Sequence, residues 1–67
     1  MAHVYVQSTK NANLRWKVIS YDPETKIGEL QGGFNVTFKR SLAKDKLEEM
    51  GYEIVQSEEE LPVSGGS

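Results

Sequence analysis

The stretch LRWKVISYDPETKIGELQGGFNVTF, from Leu14 to Phe38, decides the fold that this sequence predicts. It contains three runs with the two-residue alternation of β-strands, separated by two turn signals. In the first run Leu14, Trp16 and Val18 alternate with basic residues. We therefore expect a strand with one apolar face at this position.

Two turns join the three runs. Asp22-Pro23-Glu24-Thr25 is typical of a type I turn, because proline presets φ at the second position and the Asp22 carboxylate can accept a backbone hydrogen bond just downstream. Residues 26–30 return as a strand, and Gln31-Gly32-Gly33 gives the backbone freedom for a second reversal. The run from Phe34 to Phe38 alternates again, which predicts an antiparallel three-stranded meander.

Two further strands and one helix flank the meander. Residues 3–7, in which Val4 and Val6 alternate with other residues, predict a first strand, and residues 52–55 predict a last one. The segment between the meander and the last strand, residues 41–50, predicts a helix.

This helix has a signal at each end. Ser41 is a favourable N-cap because its hydroxyl can accept a free backbone N–H, and Gly51 is a favourable C′ residue because glycine takes the left-handed conformation without strain. Ala43, Leu47 and Met50 fall at i, i+4 and i+7. Their apolar stripe is expected to lie on the sheet.

The predicted fold is a small α+β domain of residues 1–57. It is an antiparallel meander of four to five strands with one short helix, about residues 41–50, before the last strand. Either an open sheet or a curled sheet forming an SH3-like or OB-like barrel fits this order of elements. Trp16, Phe34 and Phe38 occupy alternate positions suited to the core.

Residues 58–67 differ in composition from the rest of the chain. They combine three consecutive glutamates, a proline and a terminal Ser-Gly-Gly-Ser. We expect an acidic, Gly/Ser-rich disordered tail that takes no part in the fold.

Composition and charge narrow the class of protein. The 67 residues include no cysteine, and the net charge of −2 divides into +4 for residues 1–46 and −6 for residues 47–67. With no thiol, no signal peptide and no apolar run of about 18 residues, we predict a cytoplasmic protein that does not enter a membrane. An acidic tail can compete with an anionic ligand for a basic patch, or the charge can simply keep a small domain soluble.

No set of residues favours catalysis. His3 is the single histidine, no serine lies beside an evident base, and Gly28, Gly32 and Gly33 lack the spacing of a phosphate loop. We therefore predict a non-enzymatic protein with no cofactor and no metal site.

The residues selected for binding are Arg15, Lys17, Tyr21, Lys39 and Arg40. On an alternating strand the first three share the sheet face opposite the apolar one, and the other two lie where the fourth strand meets the helix. Bases beside an aromatic ring can neutralise and stack a single-stranded nucleic acid. The same residues can also form the wet face of a half-exposed sheet.

A small protein-interaction module, acting as adaptor, subunit or inhibitor, is the function we expect. The apolar pair Ile19 and Tyr21 on this face favours uptake of a segment of a protein partner. A single-stranded nucleic-acid-binding domain using the basic and aromatic face is the alternative. We expect a monomer or a homodimer that pairs first strands at a sheet edge, since residues 4–7 contain no proline or lysine to block such pairing.

Residues 16–28, WKVISYDPETKIG, resemble the first hairpin of a cold-shock domain. In that family a Lys-x-Phe-Asp/Asn-Pro-x-x-Gly-x-Gly pattern precedes an aromatic platform for RNA, so the resemblance implies binding of RNA by stacking. Ile27-Gly28-Glu29-Leu30 stands where that family has its stacking aromatics. We assign the chain to no family on this stretch.

Overall fold

The computed structural model describes residues 2–63. Within them the elements are β1 (His3–Ser8), β2 (Arg15–Asp22), β3 (Ile27–Gln31), a 3-10 turn (Gly33–Asn35), β4 (Thr37–Ser41), α1 (Lys44–Met50) and β5 (Tyr52–Ser57). The strands pair antiparallel in one sheet of order β4-β3-β2-β1-β5. The predicted α+β meander with its helix before the last strand is confirmed, and the sheet is open rather than closed into a barrel.

The core lies between one face of the sheet and α1. Its buried apolar side chains are Val6, Trp16, Leu30 and Leu47. The rings of Phe38 and Tyr52 pack edge-on against the Trp16 indole, with centroids 6.2 and 5.4 Å away. Aromatic pairs of this geometry add about 0.5–1.5 kcal/mol beyond burial. They connect both edge strands, β4 and β5, to the centre of the sheet.

The turn between β2 and β3 keeps its predicted hydrogen bond. The Glu24 N–H donates to Asp22 Oδ1 at 2.9 Å. The closing backbone bond runs from the Lys26 N–H to the Asp22 carbonyl at 2.8 Å, and Lys26 has a left-handed φ of 60°. The reversal is therefore one residue longer than a type I turn.

The helix begins three residues later than predicted, and Ser41 is not its N-cap. Ser41 ends β4 opposite Ile27, because the sheet continues to that residue. Ala43 stands at the N-cap position and has no side-chain cap bond. The signal at the other end is confirmed: Gly51 has a left-handed φ of 83°, and its N–H donates to the Glu48 carbonyl at 3.1 Å.

The apolar stripe of the helix is shorter than predicted. Leu47 is 3% exposed and packs into the core, whereas Met50 is 58% exposed. Because α1 has only seven residues, one inward side chain anchors it to the sheet.

The prediction that Phe34 lies in the core is wrong, because the second reversal extends beyond the two glycines. The Gly32 N–H donates to the Val36 carbonyl at 2.8 Å, and Phe34 and Asn35 both have left-handed φ values, 60° and 59°. The Gln31 side chain holds this turn by donating to Asn35 Oδ1 at 3.0 Å. The Phe34 side chain is fully exposed as a result.

The prediction that the first strand offers a free edge is also wrong. β1 lies inside the sheet and pairs with β2 on one side and β5 on the other. The edges of the sheet are β4 and β5.

Residues 58–63 follow β5 without helix or strand. We call them the C-terminal segment. Disorder of the acidic tail stays a prediction, and the terminal Ser-Gly-Gly-Ser, residues 64–67, lies outside the described residues.

Candidate binding surfaces

Three of the five predicted binding residues lie on the sheet face opposite α1, which we call the basic face. Arg15 and Lys17 flank Trp16 in β2 and therefore project away from the core that Trp16 enters. Lys39 follows Phe38 in β4 and shares this face, where it lies opposite Glu29 of β3. The positive charge of the basic face is thus strongest at Arg15 and Lys17.

Tyr21 lies on the helix face, contrary to the prediction that it shares a face with Arg15. The pairing of β2 with β3 shifts register between Val18 and Ser20, and Tyr21 comes to lie opposite Gly28. Gly28 is two residues from the buried Leu30, so both positions are on the core side. One extra residue in β2 therefore moves Tyr21 to the other face.

Arg40 also lies on the helix face. Its guanidinium carbon is 5.6 Å from the centroid of Phe38 and 5.4 Å from that of Tyr52. Its Nη1 lies 3.7 Å from the Met50 sulfur. Arg40 thus stacks on the aromatic rings that cover Trp16, and this contact joins the two edge strands.

The basic face is partly covered by the C-terminal segment. The Leu61 N–H donates to the Tyr5 hydroxyl at 2.7 Å, and Arg15 Nη1 donates to the Pro62 carbonyl at 3.1 Å. Lys17 Nζ lies 3.8 Å from a Glu60 carboxylate oxygen. An acidic stretch of the chain therefore lies against the strongest part of the basic face.

An open cleft runs beside the C-terminal segment. Its volume is about 700 Å³. It lies between the segment and the turn that carries the exposed Phe34, and Lys17 and Gln31 form its floor. The segment covers Tyr5 completely but leaves this neighbouring space accessible.

A second surface, which we call the apolar groove, lies on the helix face where β1 and β2 diverge. The pairing of these strands ends at Tyr5 opposite Lys17, whereas β2 continues along β3 to Asp22. The groove has a volume of about 400 Å³. It is lined by Val4, Val18, Ile19, Ser20, Tyr21, Leu42 and Ile54.

Sequence reasoning identified only part of this groove. It paired Ile19 with Tyr21 as an apolar patch, and both do line the same groove. It missed Leu42 and Ile54, which belong to distant parts of the chain. The alternation of Ile54 with Glu53 and Val55 was the available signal, but the partner across the groove depends on the bulge in β2.

The chemistry of the described residues can be delimited further. Residues 2–63 hold no group of three or more His, Cys, Asp or Glu side chains arranged to bind a metal ion. No helix in this range is long and apolar enough to cross a membrane. Comparison with protein-family models, with curated proteins and with solved structures finds no match.

Proposed function

We propose that this domain is a non-enzymatic protein-interaction module that takes up an apolar part of a partner protein in the apolar groove. The observation that supports this most is the chemistry of the groove: its lining contains no Asp, Glu, Lys, Arg or His. A nucleic acid needs cations along its backbone, and general acid–base catalysis most often uses His, Asp, Glu or Lys. An uncharged groove fits apolar protein side chains best.

The exposure of the lining supports the same proposal. Ile19, Tyr21 and Ile54 are 43%, 48% and 43% exposed. Covering such side chains stabilises a complex by about 25 cal/mol per Å² of apolar surface. Tyr21 adds a hydroxyl at the rim, and tyrosine is enriched among residues that dominate binding energies.

Capture of partners from a cell extract tests this proposal with a matched pair of variants. Ile19 and Ile27 are 43% and 41% exposed, but only Ile19 lines the groove. We expect Ile19→Asp to lose the protein that the unaltered domain captures and Ile27→Asp to retain it. An Ile19→Asp variant that folds and still captures the protein would contradict the proposal, as would equal loss by both variants.

Binding of single-stranded nucleic acid is a second candidate function, favoured by the placement of Arg15, Lys17 and Lys39 on one face. The C-terminal segment lies over part of this face, so an oligonucleotide would have to displace Glu60 from Lys17. We expect an amide-shift titration with a mixed oligonucleotide at low salt to move Arg15 and Lys17, and moderate salt to weaken the effect. Amides that stay unmoved at low salt would exclude this candidate.

The proposal also covers the cellular location and the oligomeric state of the domain. A cytoplasmic location is consistent with the absence of cysteine. A homodimer would have to form at a free edge, and β5 is the better candidate because it contains neither proline nor lysine, whereas β4 contains Lys39. Sedimentation equilibrium distinguishes such a dimer from a monomer.

A further inference from the structure

The contacts of the C-terminal segment have the form of a peptide bound to a receptor surface. The segment has no regular structure of its own, and it meets the sheet through Glu60, Leu61 and Pro62. Residues 60–62 make three polar contacts with the sheet, and two of them use the segment's backbone: the Leu61 N–H and the Pro62 carbonyl. Any extended segment carries those groups, so a different chain can make the same bonds.

The receptor side of these contacts is held in place by the sheet. Arg15 donates from Nε to Gln7 Oε1 at 3.0 Å and from Nη2 to the Ala12 carbonyl at 3.4 Å, which leaves Nη1 directed at the segment. Tyr5, in the central part of the sheet, is 0% exposed under the segment. Because Arg15 and Tyr5 are already held in place, little side-chain freedom is lost when they bind a backbone carbonyl and a backbone N–H.

The side chains of the segment indicate which peptide fits. Glu60 lies beside Lys17, so a carboxylate is favoured at this position. Leu61 and Val63 are half-buried, and they line the cleft together with the Pro62 between them. Proline stiffens an extended conformation and has no N–H that would need a partner.

We infer that the basic face around Tyr5, Arg15 and Lys17 is a binding site for an extended peptide of the pattern acidic–apolar–proline–apolar, and that the chain's own residues 60–63 occupy this site. This surface is distinct from the apolar groove, which lies on the opposite face of the sheet. Only residues 58 and 59 separate β5 from the docked residues, so the chain's own segment competes at an effective concentration on the order of mM. A partner peptide binds when that segment is displaced.

The test uses the full chain and a heptapeptide with the sequence of residues 57–63, SEEELPV, blocked at both ends. The variant Leu61→Asp is expected to release the segment because it puts a carboxylate in place of a half-buried apolar side chain. A second variant, Leu61→Gly with Pro62→Gly, releases it without adding charge. We expect the added peptide to shift the amides of Tyr5, Arg15 and Lys17 in both variants, and to bind the unaltered chain at least about tenfold more weakly.

The control is the same peptide with the Leu61→Asp change, which keeps the glutamates and loses the apolar side chain. Three results would overturn the inference: no binding of SEEELPV to either folded variant, equal binding of the control peptide, or a Leu61 amide in the unaltered chain that exchanges as fast as in an unfolded peptide. Binding of an oligonucleotide but not of the peptide to the released variants would also overturn it, and would assign the face to nucleic acid.

Discussion

At the scale of single residues, Gly28 lies so close to the Leu42 side chain that a Cβ at position 28 would require Leu42 to shift. A Cβ built there would lie 2.4 Å from Leu42 Cδ1 and 3.3 Å from the Ser20 carbonyl oxygen. Leu42 also lines the apolar groove, so the absence of a side chain at position 28 fixes one wall of that groove.

We expect Gly28→Ala to lower the free energy of unfolding by about 1–3 kcal/mol, because the added methyl group overpacks the Leu42 side chain. Gly33→Ala is the matched control, since a Cβ at that position meets nothing within 4 Å. Urea denaturation followed by Trp16 fluorescence measures both. Equal stability of the two variants would mean that Leu42 is free to move away from Gly28.

The hydrogen bond to the Tyr5 hydroxyl allows the docking of the C-terminal segment to be tested with a single substitution. Tyr5→Phe removes the acceptor of the Leu61 N–H and is expected to cost about 0.5–1.5 kcal/mol and to speed exchange of the Leu61 amide. Tyr21→Phe is the control because Tyr21 is 48% exposed on the other face. Unchanged Leu61 exchange in Tyr5→Phe would show that the segment does not depend on this bond.

At the scale of elements, α1 depends on one side chain. A helix of seven residues is too short to be stable alone, and Leu47 is the helical residue that is buried in the core. We expect Leu47→Ala to cost about 2–5 kcal/mol in unfolding free energy, enough to unfold much of a small domain. Thermal denaturation followed by circular dichroism measures the change.

Met50→Ala is the control for this prediction, because Met50 belongs to the same predicted stripe but is 58% exposed. Its effect should stay within about 0.5 kcal/mol. A melting temperature that Leu47→Ala leaves unchanged would contradict the packing of α1 on the sheet.

The elements themselves follow from local patterns in the sequence. Alternation of period two placed the strands, and Gly51 marked the end of the helix through a left-handed conformation that glycine takes without strain. The prediction that Ser41 is the helix N-cap was wrong because Ser41 pairs with Ile27 in the sheet. That pairing depends on the register of β3 and β4, which the local sequence does not determine. The prediction that Phe34 lies in the core was wrong because it relied on the alternation of Phe34 with Phe38. The neighbouring Asn35, a residue type that tolerates positive φ, was the signal that the turn continues through this position.

The candidate site was less predictable than the elements. The sheet face on which Tyr21 lies depends on the register shift between Val18 and Ser20. The residue between them is Ile19, and no glycine in this part of β2 indicates a bulge. Arg40 was predicted to lie on the binding face, but its guanidinium stacks on the ring of Tyr52 from β5. Both outcomes depend on contacts between strands, which short-range periodicity does not contain.

At the scale of the whole molecule, the division of charge along the sequence agrees with where the C-terminal segment lies. The sum is +4 for residues 1–46 and −6 for residues 47–67, and the acidic C-terminal segment lies on the basic face. This arrangement favours electrostatic attraction as the reason that the segment is docked. The geometry favours a different reason.

The ion pair between the C-terminal segment and the sheet has a long N–O distance and is exposed to solvent. Lys17 and Glu60 are 3.8 Å apart, and their side chains are 30% and 71% exposed. An exposed pair of this kind contributes about 0–1 kcal/mol, and salt screens it. The hydrogen bonds of Tyr5 and Arg15 to the segment's backbone are shorter, 2.7 and 3.1 Å, and the Tyr5 bond lies beneath the covering chain.

We therefore expect the segment to stay docked when salt is raised to about 1 M, where the Debye length is about 3 Å. Exchange of the Leu61 amide, measured at low and high salt, should change by less than a factor of about five, the equivalent of about 1 kcal/mol. At low salt, Glu60→Gln should change the exchange rate of the Leu61 amide by the same small factor. In this variant, raising the salt should then have no further effect on that rate. A loss of Leu61 protection of tenfold or more in salt would instead assign the docking to charge. In that case the basic face would attract anions in general, and nucleic acid would become its better ligand, because phosphate contacts weaken steeply with salt in the same way.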